Sequence, residues 1–532
     1  MANATTVSIE DMDLSNFDDA LQQLRNSIKH LSQLNQERIS RHADLLIAEL
    51  QNAETDKEEA VRQFLSNSKP LVTPESSVKK ALVIFAVAAV ATVLAGFIGF
   101  GIGFAAAVWA GPTVFISAVA AASAAALSVI GIAVSVGLLG GYAASRFFNA
   151  PETAAEDLDK FAHTAVSAAC LMLHKNWHEI LQYGRWAPSP HNMQSWLFQI
   201  ESDDTVTLMY DPKRLLPGTN PTGSFMYVGF GVLHEMLSIA AAPLVLEVEA
   251  SYLDVTLDST LEGPQPLATL KLVPRKQKET LERDLIIERQ TSRLPYDGRT
   301  IPPEVHQELA QIAEQFGHKY EYSDEQAQVD WVVRLNAETM FFDMSQAEAR
   351  NEVASWMRFS QQSAEQRKDG LAAEAMGAPG PLMWLFANAN WLFRLPGLYH
   401  LVRYSYEQGM QGTSTVGWLS GPFETPEENE RAGRMMARLW LTMTKHQVYL
   451  HPFGSVITNP QAHAMMDEHF QNEDRQDDLW MLMRLGYSDK PYQAKRMPLQ
   501  NMIVSPGGFF KPAEPGDSAP DESLAQQESC QV

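Results

Sequence analysis

Cysteine is almost absent: Cys170 and Cys530 are the only two in 532 residues. That is too few for a disulfide framework or a cysteine-rich metal site, and it suits a reducing compartment. Cations are also scarce, with 41 Lys and Arg against 64 Asp and Glu and a formal net charge of −23. Nucleic-acid binding depends on clustered Lys and Arg that release phosphate counterions. No such stripe is present, so no nucleic acid is expected as a partner. His234-Glu235 lacks the second histidine of a zinc-protease helix, and no metal site is expected. Cys530 is followed only by Gln531 and Val532, one residue short of a prenylation box.

The longest absence is of charge itself. From Ala81 to Ser145 there is no Asp, Glu, Lys, Arg or His, a run far beyond the roughly 20 apolar residues that span a bilayer core. Gly111-Pro112 divides it into Ala81 to Ala110 and Thr113 to Ser145. Each piece can cross a membrane, so residues 79–147 are expected to form a transmembrane helical hairpin that meets the lipid bilayer through residues 81–145. Gly96, Gly99, Gly103 and the alanines between Ala118 and Ala126 give the two helices small faces for close approach. Lys79 and Lys80 precede the first span and Arg146 follows the second. The positive-inside rule therefore places both ends of the chain in the cytoplasm.

The chain as a whole has 45% hydrophobic residues, enough to bury a full core. Residues 1–78 read as a cytosolic helical region. Ser15 offers an N-cap to a stripe of Phe17, Leu21, Leu24, Ile28, Leu31 and Leu34, and a second pattern runs through Leu45, Leu46, Leu50, Val61, Phe64 and Leu65. These helices either pack against their own chain or mediate self-association as a short coiled coil. An acidic linker, 148–160, leads into helical patterns at Phe161–Tyr183, Phe230–Ala240, Pro303–Phe316 and Thr425–Lys445. Strand patterns lie at Trp196–Ile200, Val206–Tyr210, Leu244–Val255, Ala268–Leu272 and Val448–Leu450. This mixture predicts an α+β fold. The tail, 505–532, is rich in Pro, Gly, Ser and acid, and is expected to be disordered.

The stretch "GRWAPSPHNMQSW", Gly184 to Trp196, is a rigid, polar-lined turn between a helix and a strand, because its prolines fix φ and its serine and asparagine can bond nearby backbone. It resembles the "AR-x-APS-x-x-N-x-QPW" signature of the flavin-dependent nitroreductase superfamily, with Ser195 where the family usually has proline. "ERQTSRLPYDGRTIPPEVHQEL", Glu288 to Leu309, is similar to the family's "RRS-x-R-x-F" element and its proline-led helix. "DPKRLLPGTNPTGSFMYVGFGVLHEMLSIAA" and "MLMRLGYSDKPYQAKRMPLQNMI" resemble the central helix and the C-terminal ending of the Acg-like branch, in which two halves are fused.

The two elements stand in reverse order here, which implies two nitroreductase-like halves in one chain, 161–275 and 276–504, forming a single-chain pseudo-dimer with one complete FMN site. The resemblance implies that Arg289, Thr291 and Arg293 grip the FMN phosphate, that Lys495 and Arg496 stand for the usual basic pair, and that Ser189, Pro190 and Asn192 meet the flavin ring. No catalytic side chain is expected, because the flavin performs the chemistry. It further implies transfer of reducing equivalents from NAD(P)H to a small flat acceptor, with a non-catalytic FMN-sequestering or signalling protein as the alternative. An insert near 365–415 is implied to form a lid. Its segment Pro381–Val402 carries Trp384, Phe386, Trp391 and Phe393, which would seat at headgroup depth in the second reading, an interfacial membrane helix.

Overall fold

In the computed structural model, described residues are 21–22, 24–26, 28–31, 33–50, 57–72, 158–167, 170–171, 173–377, 379–388, 398–470 and 478–504. The expected hairpin at 81–145, the tail from Ser505 and the middle of Pro381–Val402 lie outside them. Two compact units divide between Ala169 and Cys170. In the first, α1 (Gln33–Leu50) and α2 (Lys57–Val72) pack together, burying Ile39, Ala43, Leu46, Val61 and Phe64. The residues 158–167 belong with these helices, since Phe161 is buried and its ring lies 5.6 Å from that of Phe64. The first stripe is interrupted: Leu21, Leu24 and Ile28 are buried, but residues 28–30 tighten to a 3₁₀ turn and Leu34, beyond the break, is exposed.

The second unit begins with α3 (Lys175–Gly184), which turns into β1 (Trp196–Ile200) and β2 (Thr205–Tyr210). A long helix, α4 (Ser224–Ala241), follows, and then β3 (Leu246–Tyr252) and β4 (Gln265–Pro274). After a connection, the same series recurs. It comprises α5 (Pro303–Gln315), β5 (Lys319–Ser323), β6 (Thr415–Ser420), α6 (Pro426–Lys445), β7 (Tyr449–Pro452) and β8 (Leu479–Gly486). The first sheet has the order β1-β2-β4-β3 and the second β5-β6-β8-β7, all pairs antiparallel. The order is one and the same, helix for helix and strand for strand. Residues 326–409, between β5 and β6, form an additional helical insert.

α4 and α6 pack face to face, and their crossing is reciprocal. A Cβ on Gly231 would collide with the carbonyl oxygen of Glu430, and a Cβ on Gly433 with that of Val228. Gly231 to Gly433 and Val228 to Glu430 are the same offset along the chain, so each helix presents to the other what it receives, as in an isologous interface. Only glycine permits so close an approach of two backbones. Polar clasps flank the seam: Glu235, buried on α4, accepts from Arg434 Nε at 2.8 Å and Arg438 Nε at 2.6 Å. The second half passes a segment to the first sheet, with Ile503 bridging Phe198, and the connection before α5 adds Thr291 to the second sheet at Leu450, both in parallel. Ser224–Leu244 is the one described helix long and apolar enough to cross a membrane, and 83% of its most apolar window is buried inside the protein.

Candidate functional site

α3 ends against α4, where Gly184 meets Leu237 and Leu233 without room for a Cβ. The chain then enters the proline-rich turn, in which three non-glycine residues take left-handed φ: His191 at 49°, Asn192 at 56° and Gln194 at 53°. Backbone conformations of this kind cost free energy and persist where surrounding contacts enforce them. Here the contacts are explicit. Gln194, fully buried, donates through Nε2 to Asn192 O at 3.3 Å and Lys368 O at 3.0 Å, and its Oε1 accepts from Met497 N at 2.8 Å. Its own N–H donates to Ser189 Oγ at 2.9 Å. Pro190 packs on Gly229 of α4.

Asn192 joins three parts of the chain. Its Nδ2 donates to Gly370 O and Lys495 O, each at 3.1 Å, and its carbonyl accepts from Gly370 N at 3.1 Å. The donor side of the amide is thus engaged, while Oδ1 is enclosed without a partner. A buried acceptor left in this way calls for a donor. Gly370 itself is held by its neighbour Asp369, which accepts from Arg358 Nη2 at 2.6 Å and Arg214 Nη1 at 3.0 Å. The insert therefore rests directly on the turn, and Glu365 ties it further to Lys495 Nζ at 2.7 Å.

Beside Asn192 lies a row of arginines. Arg289 caps the short helix Leu285–Glu288 and lays its guanidinium over Trp440 of α6, 4.4 Å from the ring centroid. Arg496 follows β8, and Arg185 caps α3. The Nε of each of these three is enclosed without a hydrogen-bond partner. Burial, followed by the charge of Arg496, holds Arg289 well below the ordinary arginine range. Burial and then Arg185 bring Arg496 down to about 10, and burial lowers Arg185. No described carboxylate forms an ion pair with any of the three. A buried cation without a counter-charge is strongly disfavoured, so the row is built for an anion.

The structure thus brings Ser189, Pro190, Asn192, Arg289 and Arg496 to one place. Thr291 contributes its backbone to the Leu450 bridge. Lys495 contributes its carbonyl, while its ammonium is taken up by Glu365. Arg293 stands apart from Arg289: its Nη1 donates to Ala375 O of the insert at 3.4 Å, and its charge acts on His191 and His451. Arg185, Gln194 and Asp369 were not anticipated. Arg185 was in view within the signature, but nothing in sequence places it against Arg496, 311 positions on.

At the corresponding place in the other half the arginine has a counter-charge. Ser238 and Trp440 stand at equal distances from the crossing glycines, yet Arg275, which donates to Ser238, is paired with Glu279 at 3.3 Å. Of these two places, the Arg289 side is the one that leaves its cation unopposed among the described residues.

No protein-family model matches the chain, and no curated protein matches it. Among solved structures, the chain is similar to the FMN-dependent nitroreductase NfnB from Mycobacterium smegmatis in complex with NADPH, at 14% identity and a TM-score of 0.25, over 40% of this chain and 91% of that one. It is also similar to the FMN- and NADPH-dependent nitroreductase NfnB from Sphigopyxis sp. strain HMH, at 12% identity and a TM-score of 0.26, over 42% and 96% of the two chains. A point mutant of the latter matches at 13% identity and a TM-score of 0.26, over 42% and 98%. Identity and overlap at this level do not establish a family.

Proposed function

We propose that this chain is a membrane-anchored, FMN-dependent oxidoreductase of nitroreductase type, organised as a single-chain pseudo-dimer with one working site. The observation that carries this reading is the row of half-buried Arg185 and buried Arg289 and Arg496, without counter-charge among the described residues, beside an enclosed amide oxygen. An FMN phosphate is a dianion whose oxygens suit planar guanidinium donors. The imide N–H of an isoalloxazine ring is the donor that Asn192 Oδ1 lacks. Bound there, FMN would supply hydride acceptance and electron transfer. The chain's own part is positional: three arginines neutralise the phosphate, Gln194 fixes the turn, and Asn192 orients the ring edge. NAD(P)H as donor and a small flat acceptor complete the reading, supported by the sequence motifs. The uncharged run 81–145 supports the anchor, with both ends cytoplasmic.

A second reading, an FMN-holding protein without turnover, has one observation in its favour: the insert is latched to the turn by Gly370 and by Lys495–Glu365. The full chain, extracted from membranes with detergent, is expected to be yellow, with flavin absorption bands that NADPH bleaches anaerobically. Arg289→Ala and Arg496→Ala are expected to weaken FMN binding by about tenfold or more each, the worth of a charged hydrogen bond. A colourless preparation that takes up no added FMN rejects the assignment. A yellow one that neither NADH nor NADPH bleaches selects the second reading.

A further inference from the structure

The arginines are not the only open donors in this interior. Trp440, on α6, is buried, and its indole Nε1 is enclosed without a hydrogen-bond partner. The guanidinium of Arg289 lies against the same ring, 4.4 Å from its centroid, and Arg289 Nε is likewise enclosed and unpartnered. An indole N–H donates and cannot accept, and a guanidinium carries donors only. The two groups are in contact, yet neither can satisfy the other. Both lack an acceptor, and a buried donor left open costs free energy until one arrives.

The other half shows this position satisfied from within the protein. Ser238 stands seven positions past Gly231, as Trp440 stands seven past Gly433. Ser238 presents oxygens to its arginine: its carbonyl and its Oγ both accept from Arg275 Nη2, the latter at 3.2 Å. Glu279 adds the counter-charge. On the Arg289 side a donor replaces the hydroxyl, and no described carboxylate takes the place of Glu279.

We propose that Trp440 is a ligand of the bound anion: its indole N–H donates to a phosphate oxygen of FMN, while its ring face holds the Arg289 guanidinium that grips the same phosphate. This rests on the flavin reading above and adds to it a contact from α6, outside the motif elements. A phosphate presents oxygens on several sides and can accept from a guanidinium and an indole together. The quadrupole of the ring attracts the cation over its face, which keeps Arg289 in position although no described carboxylate pairs with it. One side chain thus orients one donor and supplies another, and no step of the reaction is assigned to it.

The test is flavin binding by the detergent-extracted full chain freed of its flavin, followed by quenching of flavin fluorescence. The probes are FMN and riboflavin, which share the ring and differ in the phosphate. Trp440→Phe keeps an aromatic face and loses the N–H. It is expected to raise the Kd for FMN by about tenfold, the worth of a hydrogen bond to a charged group, and to change that for riboflavin by less than about twofold. Trp440→His, which again has a ring N–H, recovers part of the loss. Where riboflavin does not bind, inorganic phosphate takes its place as a competitor of FMN, and its inhibition constant rises in Trp440→Phe by the same factor as the FMN Kd. Should Trp440→Phe not fold by circular dichroism, Trp440→Leu is read in its stead. An FMN Kd within about twofold of the wild type, equal losses for FMN and riboflavin, an unchanged phosphate constant, or a folded Trp440→His no better than Trp440→Phe overturns the proposal. A wild type that binds no FMN overturns the flavin reading as well, whereas a wild type that binds FMN beside an unaffected Trp440→Phe overturns this one alone.

Discussion

Asp369 shows how much of the site depends on single side chains. It is buried with Arg358, and Arg214 reaches it from the first half of the fold. Lys368 and Gly370 on either side take left-handed φ of 55° and 74°, and a Cβ at Gly370 would meet the carbonyl of Trp356 and the Arg358 guanidinium. The carboxylate therefore holds a tight bend whose two amide contacts orient Asn192. Asp369→Asn removes the described counter-charge of Arg358 and one of the two carboxylates on Arg214, which keeps Asp211 at 3.4 Å, and is expected to cost about 3–5 kcal/mol, read as a lower urea midpoint at unchanged slope. A loss below about 1 kcal/mol would mean that the arginines find other partners. None of this was legible in sequence, because Asp369 lies in an insert with no motif and its partners are 11 and 155 positions away.

Among the elements, α6 lies within the helical pattern expected at Thr425–Lys445. Thr425, Pro426 and Glu428 announce a helix start, and the structure has the full capping box, with Glu428 N donating to Thr425 Oγ1 at 3.2 Å and Thr425 N to Glu428 Oε2 at 3.0 Å. β1 appears at the residues expected, Trp196–Ile200. β5, β6 and β8 did not stand out. All eight residues of β8 and all six of β6 are buried, so the alternation that marks a half-exposed strand is missing. The predicted helix Phe161–Tyr183 is broken, since His174 leaves helical geometry before α3 begins. What sequence could not give is the α4–α6 crossing. Gly433→Val would force the two backbones apart at their closest point, and overpacking of this kind costs about 1–3 kcal/mol or more. Thermal unfolding that matches the wild type would show that the helices can slide without penalty.

At the scale of the whole molecule, several histidines are held neutral. Burial, together with Arg293, pushes His191 down to about 4, and burial pushes His306 down to about 4 despite Asp324. His306 is enclosed by its Nδ1 contact with Tyr320 Oη at 2.9 Å and by the Tyr322 ring stacked at 3.5 Å. Between pH 6.5 and about 4 the unfolded chain binds protons at these positions that the folded chain refuses, so stability falls as pH drops through that window. The urea midpoint should already decline between about pH 7 and about pH 5, above the carboxylate range, and a flat midpoint there would show that these rings protonate without unfolding. The motifs put Arg289 and Arg496 at one expected site, but Arg185, the third arginine of the row, meets Arg496 only through the folded topology.

The two helix-and-sheet repeats sit in one chain, and that has a consequence for how such a protein can change. When one gene supplies two identical copies, every substitution appears on both sides of the axis at once, and neither pocket can be closed without closing its twin. Here Glu279 pairs with Arg275 at one location, while at the other Arg289 has no ion-pair partner among the described residues. Covalent linkage removes the obligation to match, so that one side can close its ion pair while the other leaves its arginine open.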